Sequence, residues 1–234
     1  MDQGVESNRT SAGRLPAGRV RVGLLALALL AGAAAPGAAA QAPELLAETG
    51  LYADFAARAI DPALLPYSPQ YPLWTDGAAK RRWIRIPAGT AIDAADPDAW
   101  IFPAGTRLWK EFSLGGRPVE TRYMARLADG SWLYATYQWS ADGSEARRAP
   151  ERGVRRVAES APGVAYDLPG VWDCRSCHEG SPSRVLGFGA LQLSPDRDPL
   201  APHQQAAEPG AVSYTHLRAH ETVLDLVCRL LLEK

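Results

Sequence analysis

The spacing of apolar residues changes period near residue 81, and the predicted elements divide there. Between residues 43 and 59, Leu45, Leu46, Leu51 and Phe55 recur at helical spacing broken by Gly50, which predicts one or two short helices. From Arg81 onward the runs are short, β-branched and aromatic, with turn residues between them. Strands are predicted over 82–86, 106–113, 120–127 and 131–140. The last two make the clearest element. Thr121, Tyr123, Ala125 and Leu127 alternate with Glu120, Arg122, Met124 and Arg126, and Ala128-Asp-Gly130 then turns the chain back into residues 132–139, the pattern of a β-hairpin. Its aromatic side chains read as core and cross-strand pairs rather than a ligand platform. Residues 141–170 turn polar and rich in Pro and Gly, and read as a connection between two parts of the chain.

The two ends call for a different reading. Arg9, Arg14, Arg19 and Arg21 precede an apolar run over 22–35, and Ala38-Ala39-Ala40 supplies small residues for cleavage before Gln41, so residues 1–40 read as a secretory signal. That run is too short and too rich in Ala and Gly for a membrane span, which takes about 20 apolar residues. No stable span is expected after cleavage. Neither a twin-arginine pair nor a cysteine after the run supports another export route or a lipid anchor, and the expected compartment is the bacterial periplasm. At the other end, Val212-Ser-Tyr-Thr-His-Leu-Arg-Ala-His-Glu-Thr222 is similar to an in-frame translation of a transposase-type DNA sequencing adapter. Residues 226–234 match the adapter's continuation in the same frame. Residues 212–234 therefore read as an artefact and the gene as truncated near Ala211. His216 and His220, which have helical metal-ligand spacing, and the lone Cys228 drop out as sites on this reading.

Residues 41–211 hold 18 Lys and Arg against 21 Asp and Glu, a formal charge of about −3, so neither a nucleic-acid nor an anionic-membrane partner is implied. Their only cysteines are Cys174 and Cys177, and their only histidines His178 and His203. Three of those four form Cys174-Arg175-Ser176-Cys177-His178. Two thiols at C-x-x-C spacing match the vinyl groups of one haem, and the adjacent imidazole reaches its iron, so Cys174 and Cys177 are candidates for covalent haem c attachment and His178 for the axial iron ligand. A redox dithiol is one alternative. Zinc held by Cys174, Cys177, His203 and a carboxylate is another, although adjacent Cys177 and His178 do not easily face one tetrahedral ion. For the sixth iron ligand the candidates are His203 and a residue lost with the missing C-terminus, Met124 reading as packing. Arg147, Arg148, Arg152, Arg155 and Arg156 read as a solvated linker, the alternative being docking to an acidic redox partner or neutralisation of haem propionates.

Pro72-Leu-Trp-Thr-Asp-Gly-Ala-Ala-Lys80, Trp100-Ile-Phe-Pro-Ala-Gly-Thr106, Val119-Glu-Thr-Arg122 and Leu186-Gly-Phe188 with Gln192-Leu193, set around the C-x-x-C-H motif, resemble a little-characterised group of bacterial exported c-type cytochromes. The resemblance covers most of residues 48–205. It implies a β-rich N-terminal region followed by one or more haem motifs, often two, and it carries functional roles over only to Cys174, Cys177 and His178. The expected fold class is α+β: a β-rich domain over 41–165, sandwich or small barrel, then a truncated cytochrome c-type haem region over 166–211. The expected function is periplasmic electron transfer to a redox partner protein. A multi-haem peroxidase or oxidase-like enzyme is the alternative, and no acid/base pair or nucleophile motif argues for it.

Overall fold

The computed structural model describes residues 40–71 and 76–194, together with Met1; most of the segment expected to be a signal, His203 and the adapter-like tail lie outside these residues. The described chain is β-rich. Its centre is a six-stranded antiparallel meander, in spatial order β3 (Leu65–Pro66), β4 (Ala79–Arg85), β5 (Arg107–Leu114), β6 (Arg117–Arg126), β7 (Trp132–Trp139) and β8 (Ala146–Arg148). Two hairpins stand outside it: β1 (Tyr52–Asp54) with β2 (Ala59–Ile60), and β9 (Val154–Ala161) with β10 (Val164–Leu168). One α-helix, α1 (Val171–His178), follows β10.

The period-2 alternation read from the hairpin sorts the sheet into two faces, and both are buried. Trp83, Trp109, Tyr123 and Ala135 stand opposite one another on successive strands, as do Ile84, Leu108, Met124 and Tyr134 on the other face. The first row packs under the N-terminal segment through Leu46, Leu51 and Leu64. The second packs against α1 and the segment after it through Cys174, Val185, Phe188 and Leu193. Further along that second face, Phe112 meets Tyr166 and Leu168 of the β9–β10 hairpin. The β6–β7 turn falls where the sequence predicts it, with the Leu127 amide donating to the Ser131 carbonyl at 2.9 Å and Gly130 left-handed at φ 84°.

One expectation is met in part and another fails. Residues 43–59 form one short helix, the four-residue 3-10 helix Leu46–Thr49, and continue as the β1–β2 hairpin where the helical spacing had run on to Phe55. Left-handed Gly50 ends the turn, and the apolar spacing serves another purpose: Leu46 and Leu51 reach the same face of the sheet from a turn and from the start of a strand. Residues 141–170 are no linker, since they supply β8, β9 and β10. Their polar residues are consumed locally. Arg147 pairs with Glu145 at 2.6 Å, Arg148 with Glu44 at 3.1 Å and Arg155 with Asp167 at 2.9 Å, so strands that look like linker by composition are held by edge pairing and ion pairs.

Candidate functional site

The motif cysteines and histidine all lie on α1, and backbone contacts fix where this helix starts. Its first amide, Val171 N–H, donates to the Glu151 carbonyl at 2.8 Å, and Asp173 accepts from the Gly170 amide at 2.8 Å. Here the chain leaving β10 crosses the turn before β9 at backbone contact. A Cβ on Gly170 would lie 2.2 Å from the Glu151 oxygen, and one on Gly153 would lie 2.3 Å from the Leu168 oxygen. Only glycine fits both positions.

From that start, 3.6 residues per turn put Cys174 and His178 one above the other on the face turned to the sheet, with Cys177 about 60° around the helix from Cys174 on the side away from His178. Cys174 is buried in the apolar cluster with Met124 and Tyr134, beside the Thr136 hydroxyl. Burial holds its thiol above the ordinary cysteine value. Cys177 is exposed, and both thiols are free. The His178 ring rests on the Tyr134 ring, centroids 5.5 Å apart. Its Nδ1 lies 2.6 Å from the Arg184 carbonyl oxygen. A carbonyl can only accept, so the proton sits on Nδ1 and Nε2 keeps its lone pair. Burial keeps the ring below the ordinary imidazole value, against the opposing pull of that hydrogen bond, and Lys110 and Arg122 lower it further. His178 is therefore neutral at pH 7. Arg184 also binds back to the end of the helix, its guanidinium reaching the Glu179 and His178 carbonyls, which closes the loop that places its own carbonyl.

Behind the helix, the sheet carries an unexpected row of charge. Arg82, Lys110, Arg122 and Thr136 stand in direct register on the face that Cys174 and His178 cover, one step along the strands from Ile84, Leu108, Met124 and Tyr134. Arg82 is only 4% exposed. Arg122 pairs with the fully buried Glu120, which also accepts from the Tyr166 hydroxyl at 2.7 Å. Burial and the neighbouring Arg82 and Arg122 push the Lys110 ammonium down to about 6. Lys110, Arg122, Tyr134 and Arg184 are the residues that motif reading misses. Cross-strand register was the available signal: the Ala128-Asp-Gly130 turn alone puts Arg122 opposite Thr136.

The residues present fit a covalently held haem at their donor atoms: two free thiols at C-x-x-C spacing, and an imidazole whose tautomer leaves Nε2 as a ligand. Met124, read as packing, is buried in the core cluster. His203, one candidate for the sixth ligand, lies outside the described residues, and among the described residues no three His, Cys, Asp or Glu side chains converge as a metal-binding group. No helix among the described residues is long and apolar enough to cross a membrane. Comparison with known proteins found no matching family model, no matching curated protein and no matching solved structure.

Proposed function

We propose that this chain is an exported c-type haem protein that carries electrons to a redox partner in the periplasm. The observation that carries the reading is His178, a neutral imidazole whose Nδ1 proton is committed to the Arg184 carbonyl, on the same helix face as Cys174. Cys174 and Cys177 would hold the vinyl edge of haem c by thioether bonds, and His178 Nε2 would ligate its iron. Bound there, the group supplies a one-electron couple. The chain's own residues do the rest: Tyr134 restrains the imidazole, Arg184 fixes its proton, and Leu108, Met124 and Phe188 keep water from that face of the sheet. A redox dithiol is the weaker reading, because attack requires an accessible thiolate, and the first cysteine here is the buried one with a raised pKa.

Co-expression of the full chain with haem c maturation machinery tests the proposal. Pigment should stay on the polypeptide through acid extraction and denaturing electrophoresis, and Cys174→Ala with Cys177→Ala should abolish it. His178→Ala should keep some attachment while changing the iron's absorption spectrum. Colourless protein, or pigment that washes off, would falsify the proposal. Binding of carbon monoxide by the reduced protein at stoichiometric concentration would point instead to an open iron site and the peroxidase-like alternative.

A further inference from the structure

We propose that residues 171–184, α1 and the loop behind it, form a strap that covers Cys174, fixed at both ends and able to lift off β7 while the sheet stays folded. Cys177 is open to a reacting group at all times, and Cys174 only while the strap is lifted. The inference rests on the haem reading above for its purpose, and adds to it how a covered thiol is reached.

Packing supplies the first argument. A thioether forms when a thiol adds across a vinyl C=C, its sulfur bonding one carbon and its hydrogen going to the other, so the sulfur needs room for the incoming carbon. Cys174 is only 8% exposed, enclosed by the cluster that holds Met124 and Tyr134 and by the Thr136 hydroxyl. Protein interiors are close-packed, and with α1 in place no such room exists. Cys177 is exposed. The two thiols of one motif therefore differ in access until the helix moves.

The strap's own contacts supply the second. Its ends are fixed. At one, the Val171 N–H donates to the Glu151 carbonyl at 2.8 Å; just past the other, Val185 is buried in the same cluster as Phe188, whose ring meets those of Tyr67, Trp100 and Phe102. Between these anchors the one buried side chain is Cys174. The polar contacts of the stretch are internal: Ser176 with the Trp172 carbonyl, Arg175 with Glu179, His178 with the Arg184 carbonyl, and Arg184 with the Glu179 and Ser181 carbonyls. Among the described residues no ion pair joins 172–184 to the sheet, and no hydrogen bond does so apart from the Cys174 contact with the Thr136 hydroxyl. The helix meets the sheet chiefly through β7, where the His178 ring rests on Tyr134. Little ties it down. Segments with few buried apolar contacts open at a fraction of the free energy of global unfolding.

Alkylation of the haem-free, thiol-reduced full chain with iodoacetamide tests the strap, each cysteine being read by peptide mass spectrometry and its rate divided by its own rate in concentrated urea. Cys174 is also read in Cys177→Ser, so that alkylation of its neighbour does not set its rate. Cys177 should react within about threefold of its unfolded rate, and Cys174 about ten- to a thousandfold more slowly, at a rate that stays flat in urea well below the unfolding midpoint. An eight-residue helix does not persist off the sheet, so helix propensity at the exposed Ser176 should tune the opening. Cys174 should react about fivefold faster in Ser176→Gly than in Ser176→Ala, with the sheet's urea midpoint the same in both. Equal normalised rates at the two cysteines would show that Cys174 is not covered. A Cys174 rate that climbs from the first additions of urea with the slope of global unfolding, no reaction below the midpoint, or equal rates in the two Ser176 variants would show that the strap does not open by itself. Each of these results overturns the proposal. Chain that shows the labelling pattern but takes up no covalent haem would remove the haem reading and leave the strap in place.

Discussion

Lys110 shows at the residue scale how burial and neighbouring charge set one group's chemistry. Its ammonium is held down to about 6, from an ordinary lysine value of 10.5, by burial and then by Arg82 and Arg122. The unfolded chain therefore binds more protons than the folded one between those values, so this group's destabilisation is greatest below about pH 6 and is relieved as pH rises toward 10.5. Lys110→Met is predicted to raise the stability of the haem-free protein most at acid and neutral pH, with the difference shrinking toward pH 10. Chemical denaturation of both proteins across that range checks it, and a pH-independent difference would show that the mutation acts through packing alone. His178 differs in that its tautomer is set by one hydrogen bond to a carbonyl six residues on, so the loop over 179–184 belongs to the site as much as the helix does.

At the scale of elements, α1 is placed by a backbone crossing and only secondarily by side chains. The helix has eight residues and one buried side chain of its own, Cys174, too little to form or dock alone. What holds its start is the contact between 169–171 and 151–153, where Gly153 and Gly170 let two backbones touch. Gly170→Ala should therefore cost about 1–3 kcal/mol in denaturant unfolding as α1 moves off Tyr134. Gly163→Ala offers the contrast, since a Cβ there has open space around it, although φ 76° keeps some strain. If Gly170→Ala unfolds at the native denaturant midpoint, the crossing does not position the helix. This junction was not legible in the chain. Gly153 and Gly170 stand 17 positions apart in a stretch whose composition says linker, and only pairing of β9 with β10 brings them together.

The molecule as a whole is a sheet with two buried faces, and its stability is expected to follow that division. Trp109 is buried at the sheet centre, with its indole N–H donating to the Thr49 hydroxyl at 2.9 Å. Trp172 on α1 is 66% exposed. Trp109→Ala is predicted to cost about 3–5 kcal/mol, from lost burial and the cavity left behind. Trp172→Ala should stay within about 0.5 kcal/mol. Urea midpoints at constant slope measure both, and a large loss from Trp172→Ala would mean that the helix surface packs on something beyond the described residues.

The sequence alone determined what depends on neighbours along the chain. The β6–β7 hairpin with its turn glycine was readable because alternation and turn chemistry are local, and so was the grouping of Cys174, Cys177 and His178 on one element, because the five residues of C-x-x-C-H are consecutive. Tertiary structure decided the rest. Leu46, Leu51 and Phe55 look helical by spacing, yet their burial comes from the central strands of the sheet, the first of which, β4, begins more than 20 residues later. Likewise Lys110 and Arg122 are ordinary strand cations when read in line, and become one half-buried row only when β4, β5, β6 and β7 align in register. A residue's charge is written in its side chain, but the dielectric and the neighbours that give that charge its effect are set by which strands lie beside it.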